Sequence, residues 1–280
     1  MEIIDSIDEM QNYALSVKRQ GKKVGFVPTM GCLHDGHLSL IHLIRDQADI
    51  VILSIFVNPK QFGENEDFEK YPKRMDEDIA HCRENDVDIL FIPSSEEIYV
   101  KQFSTTVSED LFSNGLCGKS RPDHFNGVTT ICSKLFNICQ PDYLVLGQKD
   151  AQQVSVLRKI IKDLNFPIEV KVGPIIREDD GLAMSSRNTY LSESERKDAR
   201  ILSQSIELAK KLVSSGMNDV SEILNEVSSM IKAIETTKVD YLEIVNCTTM
   251  KKEKVVVSNQ SILLIAVWVN NVRLIDNQIL

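Results

Sequence analysis

No stretch of this sequence approaches the roughly 18 apolar residues of a membrane-spanning helix, so no bilayer association is expected. The opening residues, Met1-Glu2-Ile3-Ile4-Asp5, are acidic and lack the apolar segment of a secretory signal. Positive charge is also short. Thirty-two Lys and Arg stand against 41 Asp and Glu, for a net charge of −9 and a pI near 5.2. A broad nucleic-acid surface needs clustered basic residues and is therefore excluded, although a small basic pocket for an anion is not. Cys-x-x-Cys pairs are missing: the cysteines lie scattered at 32, 82, 117, 132, 139 and 247 and give no disulfide framework. Repeats and low-complexity segments are absent. What remains is 280 residues, 42% of them hydrophobic, enough for one large or two moderate domains. A reduced, cytoplasmic enzyme is the expectation.

Strand-like apolar runs occur at Val24 to Val27, Ile50 to Val57, Val87 to Ile92, Tyr143 to Leu146 and Ile168 to Val172. Helix-like segments alternate with them at Leu38 to Gln47, Met75 to Asn85, Val128 to Cys139 and Ala151 to Leu164. Such alternation predicts an α/β fold, a Rossmann-like parallel sheet flanked by helices, with strands buried on both faces. Ligands bind beyond the carboxyl ends of such strands, where Pro28, Asn58 and Gly147 fall. The pattern changes near Gly173. From there a charged helix capped by Ser192 runs to about Ser215, and a second helix spans Asp219 to Ile234. Strand-like runs follow at Val239 to Val245, Val255 to Val257 and Ile262 to Val269. The expected division is a Rossmann-like domain over 1–175 and a smaller α+β lid domain over 176–280.

Five polar clusters carry candidate chemistry. The first, Pro28-Thr29-Met30-Gly31-Cys32-Leu33-His34-Asp35-Gly36-His37, puts two histidines where a helix starts. Free N–H groups and a partial positive charge make a helix N-terminus suited to phosphate. Cys32, His34 and His37 also tempt a zinc reading, but no further Cys/His cluster completes a set. The second, Asn58-Pro59-Lys60-Gln61, is either an Asn-Pro turn or a site where Gln61 donates to and accepts from a hydroxy acid. Beyond it, Asp76, Glu77 and Asp78 are either partners of a helix dipole or, for Glu77 and Asp78, ligands to magnesium through water. The third holds Arg121, His124 and Gly127. His124 is either catalytic or a satisfied loop histidine, and Gly127 marks a close approach, expected here to be to ligand. In the fourth, Gly147-Gln148-Lys149-Asp150-Ala151-Gln152-Gln153, strand, glycine and helix start recur. Asp150 is either an N-cap or a ribose acceptor, and Lys149 a phosphate partner. The fifth, Met184-Ser185-Ser186-Arg187-Asn188, is an anion clamp on a loop after Gly181.

The first and fifth clusters together resemble the two signature elements of the HIGH-type nucleotidyltransferases. All five, in order, resemble the pantoate–β-alanine ligase family (pantothenate synthetases) over almost the whole chain, including Val239 to Glu243 and Arg273-Leu274-Ile275-Asp276-Asn277. The resemblance implies that ATP and pantoate form a pantoyl adenylate, which β-alanine then attacks. It implies His34, His37 and Lys149 as catalytic residues. ATP contacts would come from Met30, His37, Gly147, Lys149, Asp150, Ile176, Met184, Ser185, Ser186 and Arg187, and pantoate contacts from Gln61 and Gln153. Mg²⁺ accompanies ATP, and a homodimer is expected. Leu146, Gln148, Ala151, Cys32 and Asn270-Asn271 depart from the usual pattern without removing a proposed ligand. Alternatives are another HIGH-type adenylyltransferase, less readily a tRNA synthetase, and a non-catalytic nucleotide-binding module.

Overall fold

The computed structural model describes residues 1–64 and 66–280. Strands β1 (Glu2–Ile4), β2 (Val24–Thr29), β3 (Ile50–Ile55), β4 (Ile89–Phe91), β5 (Tyr143–Gly147) and β6 (Glu169–Gly173) form one parallel sheet, ordered β1-β4-β3-β2-β5-β6. Side chains alternate across it. Phe26, Ile52, Leu144 and Leu146 enter one core, beneath α1 (Ile7–Arg19) and other helices, whereas Val27, Val51, Leu53 and Val145 enter the opposite one, beneath α2 (Asp35–Arg45) and α3 (Met75–Glu84). Burial on both faces accounts for the nearly continuous apolar strands.

The chain builds outward from β2 through β3 to β4. It then passes through α4 (Ser95–Ile98), α5 (Cys117–Ser120) and α6 (His124–Cys139) and returns as β5 on the other side of β2. The switch point of the sheet therefore lies between β2 and β5, the place where doubly wound sheets hold ligands. Two helices start there: α2 after β2, and α7 (Ala151–Asp163) after β5.

The C-terminal part packs α8 (Glu193–Ala199), α9 (Ile201–Ser214) and α10 (Val220–Lys232) on an antiparallel sheet. Its strands are β7 (Thr237–Asn246), β8 (Ser261–Val269) and β9 (Val272–Ile279), with a separate core including Leu202, Ile206, Ile223 and Val267. The predicted cap at Ser192 forms, with Glu195 completing a capping box, and Gly216 follows the helix end with φ +98°.

Several sequence expectations are corrected. The charged helix is broken at Arg200, whose ψ of −16° tightens the turn between α8 and α9. Val255 to Val257 is not a strand: Val255 makes one isolated bridge to Asp219, and Val255 and Val257 are exposed. The third strand is β9, in which buried Asp276 and Asn277 interrupt the apolar alternation. β1 and α1 were not anticipated, and α6 starts four residues before Val128, after a left-handed Asp123 (φ +63°).

Candidate active site

The loop after β2 is bent by two successive left-handed residues, Gly31 (φ +82°) and Cys32 (φ +52°). For Cys32 this conformation is strained, and one carboxylate from α3 holds it. Asp78 accepts from the Cys32 N–H at 2.8 Å and the Leu33 N–H at 2.7 Å. A Cβ on residue 31 would sit 2.9 Å from Asp78 Oδ2. The expected role of Asp78 toward magnesium is thereby corrected: its side chain is buried and spent on the loop. Glu77 is also engaged, accepting from Arg74 at 3.2 Å on the surface. Neither residue lines the cavity described below.

The bend delivers His34 to the N-cap of α2 and His37 to its third residue. The rings lie 4.1 Å apart between centroids. The backbone N–H of His34 donates to His37 Nδ1 at 3.4 Å, which leaves the proton of a neutral His37 on Nε2. His34 Nδ1 is buried and has no hydrogen-bond partner among the described residues. Burial, with Lys149 adding to it, pushes the His34 pKa down to about 4. Burial and the neighbouring His34 hold His37 well below the ordinary histidine value. Near neutral pH the pair is therefore uncharged and offers N–H donors. Among the described residues no three His, Cys, Asp or Glu side chains are grouped to hold a metal ion, so the zinc reading of Cys32, His34 and His37 lacks its ligand set.

Across the switch point, Gly147 ends β5 and Lys149 and Asp150 lead into α7. Asp150 is exposed and makes no cap hydrogen bond, so its carboxylate is not consumed as an N-cap. Lys149 makes no ion pair among the described residues, and burial lowers its pKa. A partly buried cation without a carboxylate partner favours an anionic ligand. The segment is held from β9: Asn277 Nδ2 donates to the carbonyls of Gln148 and Lys149, both at 2.9 Å, and Asn277 Oδ1 accepts from Gln148 Nε2 at 3.1 Å. That role of Asn277 was not read from the sequence, although its segment stood out. Gln153 also lines the cavity, as does Gln152, but the buried Gln152 amide is spent on Cys117, Phe112 and Gly115.

Gln61 lies beside Met30, donating from Nε2 to Met30 Sδ at 3.1 Å. Its backbone carbonyl accepts from His124 Nδ1 at 2.8 Å and from Arg121 at 3.3 Å. Arg121 also donates to His124 Nε2 at 3.1 Å. His124 is thus a satisfied, neutral histidine, and burial together with Arg121 lowers its pKa to about 3. The close approach at Gly127 is to protein, correcting the expectation of ligand: a Cβ there would lie 2.3 Å from the Lys60 carbonyl oxygen.

The 184–187 loop closes the site. The Met184 N–H donates to the Ile176 carbonyl at 2.9 Å, and Ser186 Oγ donates to the Cys32 carbonyl at 3.2 Å. Ser185 Oγ accepts from the Arg187 N–H at 3.3 Å. The Arg187 guanidinium is not free, as an anion clamp would suggest, because Asp67 takes it through two bonds of 2.9 Å. Arg121 is held likewise by Glu66, through two bonds of 2.6 Å. Burial alone would raise the Asp67 and Glu66 pKa values, but pairing with the two arginines outweighs it and lowers both.

Met30, His34, His37, Gln61, Gly147, Lys149, Asp150, Gln153, Ile176, Met184, Ser185, Ser186 and Arg187 all line one cavity of about 290 Å³. Two helix starts, a lysine unpaired among the described residues, paired imidazole donors and two amides around the switch point of a parallel sheet define a nucleotide-binding α/β enzyme. The sequence model of the Pantoate-beta-alanine ligase family matches residues 2–279, and the chain belongs to that family. It is 48% identical over 277 residues to the pantothenate synthetase of Caldicellulosiruptor bescii, covering 99% of this chain and 98% of the relative. Identity to the pantothenate synthetase of Thermotoga petrophila is 48% over 281 residues, the full length of both. The structure of pantothenate synthetase from Thermus thermophilus superposes with a TM-score of 0.94 at 38% identity, covering 99% of each chain. Pantoate-beta-alanine ligase from Francisella tularensis, complexed with beta-gamma ATP and beta-alanine, superposes with a TM-score of 0.81 at 35% identity, covering 100% and 97%.

Proposed function

We propose that the protein condenses pantoate with β-alanine at the expense of ATP, as family membership and the relatives' names indicate. The pantoate carboxylate attacks the α-phosphorus of ATP. The bond to the β,γ-diphosphate breaks, giving pantoyl adenylate and pyrophosphate. The amine of β-alanine then attacks the acyl carbon, AMP leaves with the bonding electrons, and the amine loses a proton as the amide of pantothenate forms. Neither step needs a side-chain nucleophile. The protein's task is in-line placement and stabilisation of the charge on each leaving group.

The observation that carries this reading is the convergence of the α2 and α7 N-termini on the gap between β2 and β5, with Lys149 unpaired among the described residues. In it, neutral His34 and His37 donate to phosphate oxygens, and Lys149 carries the positive charge toward the departing pyrophosphate. Met30, Gly147, Asp150, Ile176, Met184, Ser185, Ser186 and Arg187 hold the nucleotide, Asp150 on the ribose. Gln61 and Gln153 take pantoate. Arg187 reaches phosphate only by exchanging its Asp67 contact, so its contribution is smaller than that of Lys149. Magnesium would accompany ATP and offset the triphosphate charge; among the described residues no group of three His, Cys, Asp or Glu side chains is placed to hold it. The working form is a cytoplasmic homodimer, and residues 176–280 act as a lid over 1–175, excluding water from an acyl adenylate that hydrolyses readily.

AMP release measured with ATP, pantoate and β-alanine, each omitted in turn, tests the activity. Sustained AMP formation is expected only with all three. Release of ADP, or a dinucleotide formed from a phosphate monoester, would contradict it, the latter favouring another adenylyltransferase.

A further inference from the structure

Gln61 can bind an anionic hydroxy acid well only if its amide faces the cavity with the correct end. A relay of hydrogen bonds behind it decides which end that is. Asn58, 1% exposed, is the central member. Its Oδ1 accepts from the Lys60 N–H at 3.3 Å, and its Nδ2 donates to the Gly127 carbonyl at 3.1 Å. A backbone N–H only donates and a carbonyl only accepts, so these partners fix the Asn58 amide in one orientation. Tyr99 OH lies 2.7 Å from Oδ1 and must therefore donate. Asn58 Nδ2 also donates to Gln61 Oε1 at 3.1 Å. The Gln61 oxygen is thereby turned inward, and its NH₂ group faces Met30 and the cavity with a second hydrogen to offer.

Tyr99 does not line the cavity. It ends α4, packs against Phe56 and Phe103, and carries the Lys60 ammonium 5.1 Å above its ring. Its hydroxyl is hydrogen-bonded to Asn58. We propose that Tyr99 is a positioning residue for pantoate: acting through Asn58, its hydroxyl holds the Gln61 amide with N–H donors toward the bound acid. This rests on the reading of Gln61 as a pantoate contact.

The test is a cycle of Tyr99→Phe, Gln61→Ala and the double variant, with KM measured separately for pantoate, ATP and β-alanine. Phenylalanine keeps the ring packing, and a melting temperature close to that of the parent checks this. Loss of one neutral hydrogen bond corresponds to roughly a two- to tenfold effect. The pantoate KM of Tyr99→Phe is expected to rise by that factor with the ATP KM unchanged, and the rise is expected to vanish in the Gln61→Ala background. An unchanged pantoate KM in Tyr99→Phe, or the same rise with and without Gln61, overturns the proposal. A Gln61→Ala variant with normal pantoate KM instead overturns the reading of Gln61 itself.

Discussion

At the residue scale the account turns on charge state. His34 and His37 sit where a triphosphate would place negative charge, yet burial keeps both imidazoles neutral in the free protein. In the proposed mechanism they contribute hydrogen-bond donation, while Lys149 supplies the cation. His34→Ala and Lys149→Ala are each expected to slow adenylation about 100-fold or more, the usual cost of losing a donor aimed at developing charge. Circular dichroism of both should match the parent. Near-parental rates in both would refute the roles given to His34 and Lys149. The same burial has a stability consequence. His34 titrates near pH 4 and His124 near pH 3 when folded, against 6.5 for ordinary histidine. Between pH 6.5 and those values the unfolded chain binds more protons, so stability falls as pH falls, by about 1.4 kcal/mol per pH unit for each such histidine. Urea titrations between pH 7 and 4 measure this, and stability independent of pH there would contradict neutral burial. The histidines, Lys149 and Gln61 were legible from sequence because each sits beside a strand end. Asp67 and Glu66, which hold the two arginines, were not, since an ion pair joining residues 67 and 187 leaves no local pattern.

At the element scale, strand–loop–helix alternation carried most of the Rossmann-like sheet, and with it the two helix starts that build the site. It failed where burial and polarity part company. Val255 and Val257 are apolar but exposed, whereas Asp276 and Asn277 are polar but 2% exposed. The two buried polar residues have long-range partners: Asp276 accepts from Arg177 through bonds of 2.7 and 3.0 Å, and Asn277 fastens the Gln148–Lys149 carbonyls. Asn277→Ala is expected to cost about 1–3 kcal/mol by leaving those groups unsatisfied, and to raise the KM for ATP as Lys149 loses its support. An unchanged ATP KM would show that β9 does not position the lysine. Gly127→Ala tests the opposite wall of the cavity. The new methyl overlaps the Lys60 carbonyl, so α6 and the 59–61 turn must separate. The expected result is a destabilisation of about 1–3 kcal/mol with a higher pantoate KM, read by thermal melts and initial rates.

At the scale of the whole molecule, the two sheets meet around one cavity. Asn277 on the Gln148 and Lys149 carbonyls, Arg187–Asp67 and the Tyr190 hydroxyl on the Lys70 carbonyl at 3.1 Å tie the C-terminal residues to the site. If residues 176–280 close as a lid, ATP should slow amide exchange over 184–190; identical exchange with and without ATP would contradict closure. The central claim is that one cavity brings a triphosphate and a hydroxy acid together before any amine is needed. Isotope exchange between pyrophosphate and ATP measures that step alone. The account predicts exchange that requires pantoate, proceeds without β-alanine and is lost in Lys149→Ala. Exchange that requires β-alanine, or that proceeds without pantoate, would contradict it.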